Sequence, residues 1–401
     1  MRVWHQFYWK IGLSLLLSLS LTGCWSAVEL NNRVFVSTLI IDQADEGIEL
    51  TIGFPLTNQL IPGQTGGVGG SSQPSAFISR TGGTLEEALQ KIQGDLSRKL
   101  TFGQTQSIII GTKYARHGIE HILEFIVRHP YLHLNSNLFL VDGNAKEKVA
   151  RSPVLIERFL MSVLSGYVRN NQVLSTTVKD MMNIKENAGD RILPVLNFKY
   201  NYTISTKKQY PTVGTGGAGV FRQGKLIGPL LTPEETSSAR SLLAQLKQYI
   251  YSVSSPTDGK KIGVYTNSMK TVLTPELNGE NITMHIHCFI EAGIIASESS
   301  LDMKKMESLT LIEEVIEQIA QSTMEALIVK TQRVGADVFN YGQRIEVKYP
   351  RKWNEIRGQW REYYKHNLKV KVSVHVSLKR TGSSSQAFNK QFLNSNTSSG
   401  R

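Results

Sequence analysis

Cys24 is the residue of this sequence whose covalent chemistry is best specified, because it closes the run Leu21-Thr22-Gly23-Cys24 directly after an apolar stretch. Arg2 and Lys10 give a basic start without acids, and Ile11 to Leu21 is apolar apart from Gly12 and serines. A charged region followed by about ten apolar residues is the order of a signal peptide, and it falls short of the ~20 residues that span a bilayer. The four residues resemble a bacterial lipobox. Small residues before the cysteine admit a signal peptidase to the backbone, and the thiol then becomes a thioether carrying diacylglycerol. Two acyl chains, at ~0.8 kcal/mol per buried methylene, hold a protein on a membrane durably where one does not. The expectation is a signal peptide over residues 1–23 and a mature chain that starts at an acylated Cys24, extracytoplasmic and bound to the membrane. A secretory signal with a chance cysteine and an uncleaved anchor helix are the alternatives.

Other candidate chemistry is weaker. Gly214-x-Gly216-x-x-Gly219 matches a dinucleotide fingerprint as a string, but a hairpin follows it where a helix should open. Gly219 to Leu226 nearly spells a phosphate loop, with Leu226 in the place of the magnesium-binding hydroxyl and Pro229 interrupting any helix. His117 and His121 stand four apart on an expected helix, with His129 and His133 nearby, and His285 and His287 share a strand face. Either pair supplies two metal ligands without a third at family spacing. Cys288 alternates away from the histidine face and reads as a core thiol. No nucleophile-elbow string occurs. The expectation is therefore no catalytic residue, no cofactor and no metal.

Only two cysteines among 401 residues exclude a disulfide scaffold, and 40% hydrophobic with 19% charged residues excludes a disordered chain, a collagen and a polytopic membrane protein. The net charge of +12 is localised. Residues 24–340 are balanced at 30 basic and 30 acidic, whereas residues 341–401 hold 13 basic residues against Glu346, Glu355 and Glu362. Within that segment Trp353, Trp360, Tyr363 and Tyr364 are interleaved with Arg351, Lys352, Arg357, Arg361 and Lys365. Such a region suits anionic headgroups or an acidic protein partner, and nucleic acid is not expected outside the cytoplasm. A solvated face, with the rings packed on a sheet, is the plainer reading.

The elements that would position these residues alternate between strand and helix, which points to an α+β or α/β fold. Arg33–Asp42 reads as one buried strand and Ile48–Pro55 as its hairpin partner about Asp45-Glu46-Gly47. Pro62–Ser75 reads as a flexible glycine-rich loop. Thr84 with Glu87 caps a helix to about Leu100, and Tyr114–Val127 is a helix between strands at 106–111 and 134–141. Pro153 opens a helix to about Val168, and another lies near Thr177–Lys185. A glycine-rich break is expected at Gly214–Gly219, before a hairpin about Gln223-Gly224 and a helix capped by Thr232 and Glu235 that runs to about Tyr249. Long strands follow at 262–273 and 281–295. The helix over 303–330 should bury Met306, Leu309, Ile312, Ile316, Ile319, Thr323 and Leu327. Leu368 to Leu378 alternates as a one-faced strand, and residues 381–401 read as a flexible tail.

Leu21-Thr22-Gly23-Cys24-Trp25, then Glu29-Leu30-Asn31 and a β-rich segment ending in Ile40-Ile41-Asp42, resembles the start of the spore germination C-subunit lipoproteins, the GerAC or Ger(x)C family. Ala218-Gly219-Val220-Phe221 with Lys225-Leu226-Ile227-Gly228, Leu231 and Glu235-Thr236 is similar to its central signature. The 303–330 helix, Asp337-Val338-Phe339, Gly342 and the Trp353 region are similar to its C-terminal pattern. The resemblance implies a multi-domain α+β protein of three domains, each a sheet packed by helices; the chain's own pattern puts a break near 200–215, which gives residues 24–200 as an N-terminal region of one or two subdomains and 201–380 as a C-terminal domain. It implies a non-enzymatic C subunit of a nutrient germinant receptor, with A- and B-type membrane subunits as partners. The location implied is the outer face of the inner spore membrane, through diacylglycerol on Cys24 and palmitate. An extracytoplasmic solute-binding lipoprotein is the alternative.

Overall fold

Apolar runs with no polar alternation become strands covered on both faces. The computed structural model describes residues 29–56, 75–150, 157, 159–183, 190–203 and 208–380, with residues 4, 8, 9 and 12. The strands are β1 (Arg33–Phe35), β2 (Thr38–Gln43), β3 (Ile48–Pro55), β4 (Ser75–Gly82), β5 (Lys99–Thr101), β6 (Ser107–Gly111), β7 (Asn137–Val141), β8 (Arg191–Thr203), β9 (Lys208–Arg222) and β10 (Lys225–Leu231) in the first half. Eight of them form one mixed sheet in the order β10-β9-β8-β7-β6-β2-β3-β4, with β2, β6, β7 and β8 parallel. Leu39, Ile41, Ile108, Ile110, Leu138 and Leu140 are buried on one face, and Ile40, Ile109, Phe139 and Val141 on the other. Burial on two faces explains why these strands are continuous apolar runs.

The first face is covered by α1 (Leu85–Gly94), α2 (Thr112–His117), α3 (Glu120–Arg128) and α6 (Val178–Met182), and the second by α4 (Ala145–Ala150) and α5 (Leu160–Arg169). A second sheet has the order β11 (Ile250–Ser254), β12 (Lys261–Asn278), β13 (Asn281–Ser297), β14 (Lys369–Arg380). One of its faces packs on α7 (Pro233–Leu242), α8 (Met306–Arg333), α9 (Tyr341–Lys348), α10 (Pro350–Ile356) and α11 (Trp360–His366). This architecture is α+β with several sheets. The core of the second sheet also takes in Leu174, Ile192, Ala218, Val220 and Leu231, so it continues into the first sheet without a gap.

Several local expectations are corrected. Residues 33–42 form two strands, because Ser37 turns away to donate its N–H and Oγ to Gly53 O while β1 pairs with β5. Helix α1 stops at Gly94, where the Gln93 side chain bonds Arg98 O and Leu100 N and so diverts the chain into β5. The 114–127 helix is split at Gly118, whose φ of 127° no helix accommodates. Gly214–Gly219 is not a break but the middle of β9. A Cβ at Gly216 would lie 2.6 Å from Asn197 Cβ, and one at Gly219 2.5 Å from Leu140 Cδ1, so these glycines permit close strand packing. Strands β8, β9 and β10 extend the sheet built by residues 38–141. Helix α7 ends at Leu242, since Ala244 turns left-handed at φ 57°. On α8 the buried stripe is Ile312, Ile316, Ala320, Met324, Leu327 and Ile328, leaving Met306 and Ile319 exposed. Strands β4, β5, β8 and β11 and helices α4 and α9–α11 have no counterpart in the sequence reading. Most of the 62–75 loop, Pro153 and the 381–401 tail lie outside the described residues.

Candidate functional site

Cys24 lies outside the described residues, so the structure bears on the other candidates. His117 ends α2 and its Nδ1 lies 3.0 Å from Lys113 O, while His121 belongs to α3 beyond Gly118, so the i, i+4 pair is not formed on one helix. His129 packs edge-on against Phe102 at 4.7 Å, and burial lowers its pKa. His133 bonds Gly103 O at 3.1 Å. His285 and His287 stack at 6.3 Å on one face of β13; the first lies 2.6 Å from Glu276 Oε2 and the second 2.7 Å from Ser373 Oγ. Among the described residues no three histidine, cysteine or carboxylate side chains converge as a metal site. Cys288 is 1% exposed beside Ser241 and Thr271, and burial raises its thiol pKa, as a core thiol requires.

The glycine strings lie on β9 and the β9–β10 turn, where Gln223 and Gly224 both have positive φ, the geometry of a tight hairpin. A cleft of about 160 Å³ lies between α7, α8 and β11, lined by Ser238, Ser241, Tyr251 and Met324 among others. It sits inside the second sheet–helix layer, not between the two halves.

The most elaborate polar site joins the halves. After α8 the chain turns at Gly335 and buries Asp337, whose Oδ1 accepts Tyr341 N at 2.9 Å and Oδ2 accepts Gly342 N at 2.8 Å. Its carboxylate thus caps α9. Trp360 Nε1 donates to the same Oδ2 at 3.2 Å. Asp337 N donates in turn to Asp190 Oδ2 at 3.0 Å. Asp190, immediately before β8, is held by Arg361 of α11 through Nη1 at 2.8 Å and Nη2 at 3.2 Å, and Arg361 Nη1 also reaches Gly335 O. Arg191 continues the link by donating to Asn340 Oδ1 at 2.8 Å. Burial pushes Asp337 up to about 6; bonds from Gly342 and Tyr341 oppose the shift and the nearby Asp190 charge adds to it. Trp353, Trp360 and Tyr364 wall the site and are fully buried, so these rings are core and not an interfacial girdle.

Two more expectations about the basic segment change here. Arg361 is a half-buried clamp on the buried Asp190 rather than a free surface charge, and Lys352 is paired with Glu280 and Glu355. Asp337, Gly342 and Trp353 were legible as a pattern, whereas Asp190 carried no local signal. A similar device closes the first sheet. Asp42, buried at the end of β2, accepts Ala145 N and Lys146 N at 2.8 Å each and caps α4, and burial raises its pKa. A Cβ on Gly111 would lie 2.1 Å from Asp42 Oδ1, so the neighbouring strand end must be glycine.

Residues 26–198 match the family described as spore germination protein N-terminal domain, and residues 216–382 the one described as spore germination B3/GerAC like, C-terminal. The chain belongs to the spore germination GerAC family. Similar relatives include the putative spore germination protein YfkR of Bacillus subtilis, 24% identical over 93% of this chain and 97% of the relative. Spore germination protein KC of Bacillus subtilis is 21% identical over 95% and 97%, and spore germination protein GerQC of Bacillus cereus 22% over 92% and 98%. The crystal structure of the GerBC protein superposes with a TM-score of 0.55 at 16% identity, covering 85% of this chain and 96% of that one, which shows a shared fold. In this GerAC-family chain no helix among the described residues is long and apolar enough to cross a membrane. Asp42, Gly219 and Asp337, which carried the family resemblance, are all structural: a cap, a close strand crossing and a clasp.

Proposed function

We propose that this chain is the lipid-anchored, non-catalytic C-type subunit of a spore nutrient germinant receptor. It acts with A- and B-type membrane subunits to trigger germination, on the outer face of the inner spore membrane. The observation that carries this reading is the position of the family matches. They run in tandem from residue 26 to residue 382, and the first begins two residues after Cys24. A signal peptide of residues 1–23 and an acylated Cys24 would leave the whole matched region as mature protein. The names of the relatives, all spore germination proteins, support the biological setting. The Asp190–Arg361–Asp337 clasp supports a scaffold role, because it makes a tether at the N-terminus act on the C-terminal half as well. We place the N-terminal region at 24–200 and the C-terminal domain at 201–380, with the β8–β10 strands binding one to the other.

The test is mass spectrometry of the N-terminus from spore membranes, with Cys24→Ala in parallel. The expected results are a diacylated Cys24, and for the variant release into the soluble fraction with a weakened germination response, since effective concentration near membrane partners falls. An uncleaved Met1 or an unmodified Cys24 would overturn the anchoring.

A further inference from the structure

The β11–β14 sheet is covered by helices on one face only, where Ile282, Met284, Ile286, Cys288 and Ile290 are buried. On the opposite face the strand register sets Lys270, Phe289 and His375 in one row. The next row is Val272, His287 and Ser373, and the third is Thr274, His285 and Lys371. Phe289 is 49% and Val272 39% exposed at the centre of this face. Of its two glutamates, Glu291 is paired with Lys379, and Glu276 lies beside the His285 ring at 2.6 Å. Lys270, Lys369 and Lys371 have no ion-pair partner among the described residues. The face therefore combines an exposed aromatic with three lysines outside any ion pair, and its lysines (Lys270, Lys369, Lys371, Lys379) outnumber its acids (Glu276, Glu291).

We propose that this face docks an acidic, partly apolar surface of a partner protein, which under the receptor-subunit reading belongs to an A- or B-type membrane subunit. Lysines outside ion pairs steer and orient an acidic partner, and the ring and Val272 provide the apolar centre that an interface needs. A bilayer fits less well. Phe289 is only half exposed in its row between Lys270 and His375, and a single ring held at the sheet surface does not reach the ~5–10 Å depth at which interfacial side chains are buried in lipid. Strand addition at the sheet edge is opposed too, since Glu317 and Glu313 of α8 accept the N–H groups of Val376 and Leu378 on β14. Three strands at ~4.8 Å spacing and roughly eleven residues at ~3.3 Å give a face on the order of 500 Å², the size of one side of a small, transient interface.

The experiment uses the unlipidated Cys24→Ala chain, so that the acyl anchor cannot mask the result. It measures co-purification with the A- and B-type subunits, and binding at low salt to poly-L-glutamate and to phosphatidylglycerol vesicles. The parent is compared with K270Q/K369Q/K371Q, with F289S, and with K113Q/K304Q/K305Q, which makes the same charge change elsewhere. All these positions are exposed, and unchanged melting temperatures verify folding. The face triple is expected to lose at least tenfold in poly-L-glutamate affinity and to lose subunit capture, while the control triple keeps both. F289S should lose subunit capture and retain poly-L-glutamate. Equal behaviour of the two triples overturns the proposal, as does a parent that binds neither poly-L-glutamate nor the subunits. Loss confined to vesicle binding overturns it in favour of a membrane surface. If no form captures the subunits while the poly-L-glutamate loss holds, the receptor-subunit reading falls and the acidic docking face stands.

Discussion

Replacing Asp190 by alanine removes both Arg361 bonds and the acceptor of Asp337 N in one step. Asp190 keeps 2% and Arg361 24% of side-chain exposure, so the guanidinium left behind is only partly rehydrated. Removing one partner of a buried pair costs ~3–5 kcal/mol. Two effects reduce that figure: Arg361 retains Gly335 O, and Asp337 loses a like charge nearby. A net loss of about 3 kcal/mol follows, with ~2–4 °C of melting temperature per kcal/mol for a cooperative unit of this size, hence roughly 6–12 °C. Calorimetry of the chain beginning after Cys24 is the assay, and a split into two transitions would show the halves uncoupling. Arg361→Met should be at least as damaging, because it strands a buried carboxylate. The double variant should recover about 2 kcal/mol relative to the sum of the singles. A loss below about 1 kcal/mol for Asp190→Ala, or a coupling near zero, would refute the claim that the clasp joins the halves.

Asp337 gives a pH signature. Its native pKa of about 6 exceeds the ordinary 3.8, so the folded chain holds a proton that the unfolded chain has released. The stability this contributes is present in acid and is lost as pH rises through about 6. Asp337→Asn should cost stability by turning an amide donor toward a backbone N–H. Denaturation midpoints should show the parent's advantage over this variant shrinking between about pH 4 and 6 and flat above; an advantage that grew there would contradict the burial argument. Gly111→Ala should destabilise by ~1–3 kcal/mol through overpacking against Asp42, and a neutral result in urea would mean that α4 shifts freely. Reductant should leave the melting temperature of the unlipidated chain unchanged, because Cys288 is buried without a disulfide partner; a large drop would reveal a cross-link.

Signals that occupy a few neighbouring residues were legible without coordinates. Thr232 and Glu235 form the reciprocal cap expected of them, Gln223-Gly224 makes the hairpin turn, and the alternation from Leu368 to Leu378 buries Val372, Val374, Val376 and Leu378 on one face. Each is a contest between backbone conformations settled within one turn or one pleat, so local chemistry suffices. The tertiary structure alone decided where locally ambiguous segments went. Gly214–Gly219 has the composition of a linker, yet it is strand because the backbones of β8 and β9 and the side chain of Leu140 approach too closely for a Cβ. The buried stripe of α8 depends on how the helix leans on β14 and α7, and a repeat of three and four allowed more than one phase. Asp190 and Arg361 stand 171 residues apart. No pattern in either neighbourhood announces the other, because the pairing arises only when Asp190, immediately before β8, meets α11 where its carboxylate is closed off from water.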